Sequence, residues 1–318
     1  KKLASDIGFY EYIQYLFFNQ YNSLKEYAHR NGIQIIGDIP IYVALDSADV
    51  WANPQDFQLD EENYPREVAG VPPDYFSEDG QLWGNPLYDW EKMKENDYSF
   101  WRRRISGAGR YYDVIRIDHF RGFQSYWAVP YGAETAKNGR WVDGPSYDFV
   151  RVLKEDFPDI QFIAEDLGII TEDVNELLQK SGFPGMRVLE FGMGAHGGNN
   201  HTPHNHVVNT ICYISTHDNS PIVGWRDTAD KAEVRNARKY YGINYREGYH
   251  FGFIRGGMSS VAVLFVAQIQ DWLGAGEESR MNTPGTAADN WKWRLRKGQL
   301  DDQLADKIAF MTDLYGRG

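Results

Sequence analysis

The sequence predicts an α/β fold, specifically a (β/α)₈ barrel, and three observations carry that expectation. Short apolar runs ending in a carboxylate recur at Ile33–Asp38, Asp113–Asp118, Gln161–Glu165 and Ile211–Asp218, with two further strand-like runs at Met186–Phe191 and Val261–Ile269. Helical sequence separates them, as parallel strands buried on both faces require. Polar residues then fall at the carboxyl ends of the runs, where barrel enzymes build their sites.

A helix opens the chain. Ile7, Tyr10, Ile13, Leu16, Phe17, Leu24 and Ala28 recur at steps of three and four until Asn31-Gly32 stops the pattern. No repeat, low-complexity block or Pro-rich linker interrupts the 318 residues, so one continuous domain, 1–318, is the simplest organisation. Two connections, 43–109 and 122–158, are too long for simple barrel links and are rich in Trp, Tyr, Gly and Pro, which marks them as functional insertions. The first carries the aromatics Tyr75, Phe76 and Trp83 among prolines and reads as a rigid binding lip over a cleft.

Composition narrows the partners. A net charge of -12 opposes nucleic acid and anionic membrane, both of which demand clustered Lys and Arg. No stretch approaches the ~20 apolar residues of a membrane span. The one cysteine, Cys212, lies in an apolar run, which makes it a core residue and a reducing, cytoplasmic compartment the default. With 10 Trp, 21 Tyr and 17 Phe, the chain has either an aromatic core or a surface on which sugar rings stack.

Asp118, Glu165 and Asp218 end three of the runs, and on a barrel all three would converge over one mouth. Retaining glycoside cleavage needs one carboxylate to attack the anomeric carbon and one carboxylic acid to protonate the leaving oxygen; a third can stabilise developing positive charge. Arg116 lies two residues before Asp118, on the same strand face, and would keep a nucleophilic carboxylate ionised or serve as an ordinary salt bridge. His217 either donates to a sugar hydroxyl or is a satisfied polar residue. An enolase-like reading would make Asp118, Glu165 and Glu190 metal ligands, but that scheme needs a Lys or His base at a strand end and leaves the aromatic insertion unexplained. The histidines of residues 192–206 (His196, His201, His204, His206) lack strong metal-ligand spacing.

Taken together, Gly37–Val43, Ala69–Phe76, Trp83–Tyr88, Arg116–Phe123, Ala164–Gly168 and Thr216–Asn219 resemble the amylomaltase, or 4-α-glucanotransferase, family over nearly the whole chain. The resemblance implies Asp118 as nucleophile, Glu165 as general acid/base and Asp218 as transition-state stabiliser. It implies that Arg116, His217 and Asp38 contact the reacting sugar or its neighbours. Tyr75, Phe76 and Trp83 would belong to a loop over the acceptor end, and Asn282 to Asn290 would form a second loop across the cleft. It implies α-1,4-glucans and maltooligosaccharides as substrates, and no metal or organic cofactor. A retaining α-glucan hydrolase would use the same residues. Family members carry an N-terminal region with the first two barrel strands, so strands 3 to 8 are expected here, with a missing segment completing the barrel. Without it an inactive glucan-binding fragment is the alternative.

Overall fold

The computed structural model describes residues 3–73, 77–194, 199–286 and 288–318. They form two compact units, Lys1–Phe183 and Pro184–Gly318, each a mixture of helices and short strands.

The first unit begins with a helix over Ala4–Arg30. Its strands are β1 (Ile36–Ile39), β2 (Glu67–Val71), β3 (Gln81–Pro86), β4 (Val114–Ile117), β5 (Ser125–Pro130), β6 (Arg140–Asp143) and β7 (Gln161–Ala164). β1, β4 and β7 make a parallel sheet in that order, with Asp38 opposite Arg116 and Ile117 opposite Ala164. All four residues of β4 are buried, as expected for a central parallel strand covered on both faces. Gly37 is required by close approach, because a Cβ there would lie 2.0 Å from the ring of Tyr112.

Helices Ser99–Tyr111 and Ser146–Asp156 lie in the connections that lead to β4 and β7, and Glu172–Ser181 follows β7. The first buries Phe100, Trp101 and Ile105, the second Phe149, Val150, Val152 and Leu153. Trp101, Phe123 and Phe149 pack with ring centroids 4.8–5.4 Å apart. Such offset contacts add to the burial of three large apolar side chains. The aromatics of residues 43–109 therefore divide in two. Phe57, Tyr88, Tyr98, Phe100 and Trp101 are core residues, whereas Trp83 is 37% exposed.

The two long connections pair with each other. β3-β2-β5-β6 is an antiparallel sheet in which β2 comes from the first and β5 and β6 from the second. Trp127 and Trp141 face each other across β5 and β6, edge to face at 5.2 Å. The Arg121 guanidinium lies 4.0 Å over the Trp141 ring. This ties the sheet to the turn that follows β4.

The second unit holds β8 (Gly185–Val188), β9 (Thr210–Tyr213) and β10 (Leu264–Val266), a parallel sheet in the order β10-β9-β8. β9 is central and wholly buried. Around it the core gathers Leu189, Met193, Cys212, Ile214, Ile222, Tyr241, Phe253 and Ile254. Burial pushes the Cys212 thiol up to about 12, so it behaves as a small apolar side chain. Among the described residues, no helix is long and apolar enough to cross a membrane.

Candidate active site

In the first unit the site grows from the ends of β1, β4 and β7. Asp38 on β1 sits in register with Arg116 on β4, and the Arg116 Nη1 donates to the Asp38 carboxylate. The same nitrogen lies 3.4 Å from Asp118 Oδ1. One buried guanidinium thus holds two carboxylates. Asp118 and Glu165 each follow directly on the paired residues Ile117 and Ala164, so they occupy adjacent positions at the carboxyl ends of neighbouring strands. Three main-chain hydrogen bonds carry the register past the strand ends: Asp118 N–H to Ile39, Glu165 N–H to Ile117 and Phe120 N–H to Glu165, each 3.0 Å.

The two carboxylates differ in environment. The Asp118 side chain is 43% exposed, whereas Glu165 is buried. Glu165 Oε2 accepts the main-chain N–H of His119 and Oε1 that of Leu167, both at 2.7 Å. One lone pair on each oxygen is therefore occupied and the plane of the carboxyl group is set. Burial, followed by the Asp118 charge, raises the Glu165 pKa to about 7; Arg116 and the two N–H donors pull the other way and lose. A buried carboxyl of raised pKa beside a more exposed one is the pattern of an acid paired with a nucleophile.

His119, which follows Asp118 and donates to Glu165, has φ 51°, a left-handed conformation that Asn, Asp and His adopt more readily than other non-glycine residues. Its ring is buried, and desolvation with the nearby Arg121 charge lowers its pKa to about 3. The ring is neutral and packs edge to face on Trp83, centroids 4.8 Å apart. Trp83 also leans towards Tyr42, and its indole N–H donates to Gln81. Tyr75 and Phe76 lie outside the described residues.

In the second unit, β9 leads into Ile214-Ser215-Thr216-His217-Asp218. Asp218 Oδ1 accepts from Asn282 Nδ2 at 2.6 Å, and His217 Nε2 is 3.5 Å from Oδ2. The Asn282 N–H donates to the His217 carbonyl, and the His217 ring lies 5.2 Å from that of Trp291. Asn282 is thus joined to the Asp218 segment by side chain and main chain.

Several contributors escaped the sequence reading. The His119 and Leu167 N–H groups, Arg280 and Trp291 are among them. Main-chain donors leave no mark in composition; Arg280 and Trp291 border the 282–290 segment, and that closeness was the available signal. Glu190, the third metal ligand of the enolase-like alternative, is buried in the second unit near Asp271 and Arg280. Among the described residues no group of three or more His, Cys, Asp or Glu side chains could hold a metal ion. His201 meets the Val188 N–H, His204 the Tyr240 hydroxyl and His206 the Ser260 hydroxyl. His196 lies outside the described residues.

The chain is similar in fold to an alpha-amylase from Geobacillus thermoleovorans, with a TM-score of 0.52 at 13% identity over 95% of this chain and 61% of that one. It is far more similar to an amylomaltase from Streptococcus agalactiae, solved with acarbose: TM-score 0.97, 41% identity, all of this chain and 64% of that one. The family described as 4-alpha-glucanotransferase matches residues 1–301, and the chain belongs to it. A 4-alpha-glucanotransferase of Clostridium butyricum is 46% identical over 318 residues, 99% of this chain and 65% of the relative. One from Thermus thermophilus is 44% identical over 322 residues, 99% of this chain and 64% of its own length. The chain therefore spans a little under two thirds of the length of these relatives.

Proposed function

We propose that the protein carrying this chain is a 4-α-glucanotransferase that moves α-1,4-glucan segments between maltooligosaccharides by double displacement with retention. The observation that carries the proposal is the register of β4 and β7, which sets Asp118 and Glu165 side by side on adjacent strands. Neighbouring strands lie about 4.8 Å apart, so side chains at adjacent strand ends can bring their carboxyl groups to the ~5 Å separation that retention requires.

Asp118 attacks the anomeric carbon, Glu165 protonates the departing glycosidic oxygen, and a glycosyl ester forms on Asp118 while the shortened glucan leaves. Glu165, now ionised, takes the proton from the incoming sugar hydroxyl as that oxygen displaces Asp118. Asp218, held by Asn282, stabilises the oxocarbenium-like charge in both steps. Arg116 keeps Asp118 ionised and, with His217 and Asp38, binds the reacting sugar. Trp83, with Tyr75 and Phe76, receives the acceptor.

The strand orders β1-β4-β7 and β8-β9-β10 follow the chain, which supports reading them as strands 3 to 8 of a (β/α)₈ barrel with 43–109 and 122–158 as insertions. A further N-terminal segment would complete it. Support comes from the helix Ala4–Arg30, which exposes Ile7, Phe9, Tyr10, Tyr12, Tyr15 and Phe17. The buried, lone Cys212 suits a cytoplasmic setting.

A hydrolase would use the same carboxylates, and the two activities separate in one assay. Given maltotriose, the full-length protein should produce oligosaccharides longer than the substrate with little gain in reducing ends. Glucose and maltose alone, with reducing ends rising in step, would overturn the transferase reading.

A further inference from the structure

Asp218 is reached by one arginine through its main chain. Arg280 Nη2 donates to the Asp218 carbonyl at 2.7 Å, Nε donates to the Asn282 carbonyl at 2.9 Å, and Nη1 reaches Ser220 Oγ at 3.4 Å and Glu277 Oε1 at 3.2 Å. The two carbonyls belong to the residues whose side chains meet at 2.6 Å, Asn282 on the Asp218 carboxylate. Arg280 therefore bridges both partners of that hydrogen bond from the main-chain side. A planar fork with five donors in fixed directions can do this; a single ammonium cannot span both carbonyls and the two further acceptors.

The rest of the segment is held independently. Asp271, fully buried, accepts the Ile222 N–H at 2.7 Å and faces the Ser215 hydroxyl at 3.4 Å. Gln268 donates to Ser215 Oγ and to the Thr216 carbonyl at 2.6 and 3.0 Å. Both ends of Ser215–Ile222 are thus anchored without Arg280, and its particular contribution is the middle, where Asp218 lies.

We propose that Arg280 is a positioning residue for glycosyl transfer, setting the Asp218 carboxylate and its Asn282 partner for the transition state without touching substrate. This rests on the role assigned above to Asp218. Because misplacement by about 1 Å can cost ~10²-fold in rate, loss of the fork should appear in kcat and leave substrate binding nearly intact.

The test is a double-mutant cycle in the full-length protein, with Arg280→Lys, Asp218→Asn and their combination assayed on an α-maltosyl fluoride donor. Arg280→Lys keeps the charge in place and should melt within a few degrees of the parent. Its kcat should fall about tenfold or more, with KM within about threefold. In the Asp218→Asn background the same change should cost almost nothing, since the group it positions is gone. Undiminished kcat in Arg280→Lys, or the same loss in both backgrounds, would overturn the proposal. If Asp218→Asn alone keeps full turnover, the role of Asp218 fails instead, a result distinguishable from the first two.

Discussion

The main-chain N–H of His119 donates to Glu165 Oε2 at 2.7 Å, so the residue after the proposed nucleophile orients the proposed acid. The turn after β4 couples Asp118 and Glu165 through the backbone, and a substitution of the His119 side chain leaves that donor in place. Its left-handed conformation at φ 51° belongs to the turn that aims this donor.

The acid's protonation sets a pH limb. Burial first, then the Asp118 charge, raises Glu165 to about 7. Only the protonated form can donate to the leaving oxygen. Cleavage of maltooligosaccharides should therefore decline as pH rises through about 7, while a glucosyl fluoride, whose leaving group needs no proton, should form the glycosyl-enzyme without that limb. Rates of the first step for both donors across pH 5–9 check this. A shared basic limb would assign it to another group.

Arg116 should be irreplaceable by lysine. Its guanidinium joins Asp38 and Asp118 at once, and it is buried. Arg116→Met should lower kcat/KM about 10²-fold or more, and Arg116→Lys should recover only part, because Nη1, which makes both contacts, is held at the end of a rigid guanidinium plane, whereas a strongly hydrated ammonium on a flexible stem is not fixed at that point. Steady-state kinetics on maltotriose with both variants decide it. Full recovery by lysine would leave charge, and not geometry, as the requirement.

Trp83 should govern the fate of the glycosyl-enzyme. A half-exposed indole backed by the neutral His119 ring can stack an acceptor glucose and displace loosely held water. Trp83→Ala should raise the gain in reducing ends relative to longer oligosaccharides several-fold, and Trp83→Phe should largely keep the parent ratio. Chromatography of maltotriose products over time provides the measurement. Equal loss of transfer and cleavage would place Trp83 in donor binding or folding.

Chelation separates the carboxylate reading from a metal-dependent one. Asp118 and Asp38 are engaged by Arg116, and Glu165 by two N–H donors. Dialysis against a chelator should leave maltotriose turnover unchanged. Loss of activity restored by a divalent cation would favour an enolase-like scheme.

What could be read from sequence follows how local its signal is. The runs ending at Asp38, Asp118 and Glu165 stood out because strands buried on both faces need consecutive apolar residues. Their starts were less distinct: Ile33 to Ile35 continue the apolar run, yet β1 begins at Ile36, and the Ile35 N–H is taken by the Asp113 carboxylate. The antiparallel sheet was illegible. β2 and β5 pair across more than fifty residues, and Gly70 and Pro130 dilute their strand signal. Which aromatics of 43–109 belong to the core is hidden for the same reason, since Trp101 finds Phe123 and Phe149 only once the chain folds.

If Asp118 carries the glucan between donor and acceptor, the glycosyl ester can be trapped on it. In Glu165→Gln, α-maltosyl fluoride can still glycosylate the nucleophile, but the second step lacks its base, so the intermediate should accumulate. Intact-protein mass spectrometry of the full-length variant should show a gain of one maltosyl unit, peptide mapping should place it on Asp118, and Glu165→Gln/Asp118→Asn should show none. An adduct on a different residue, or one that persists when Asp118 is replaced, would contradict the account.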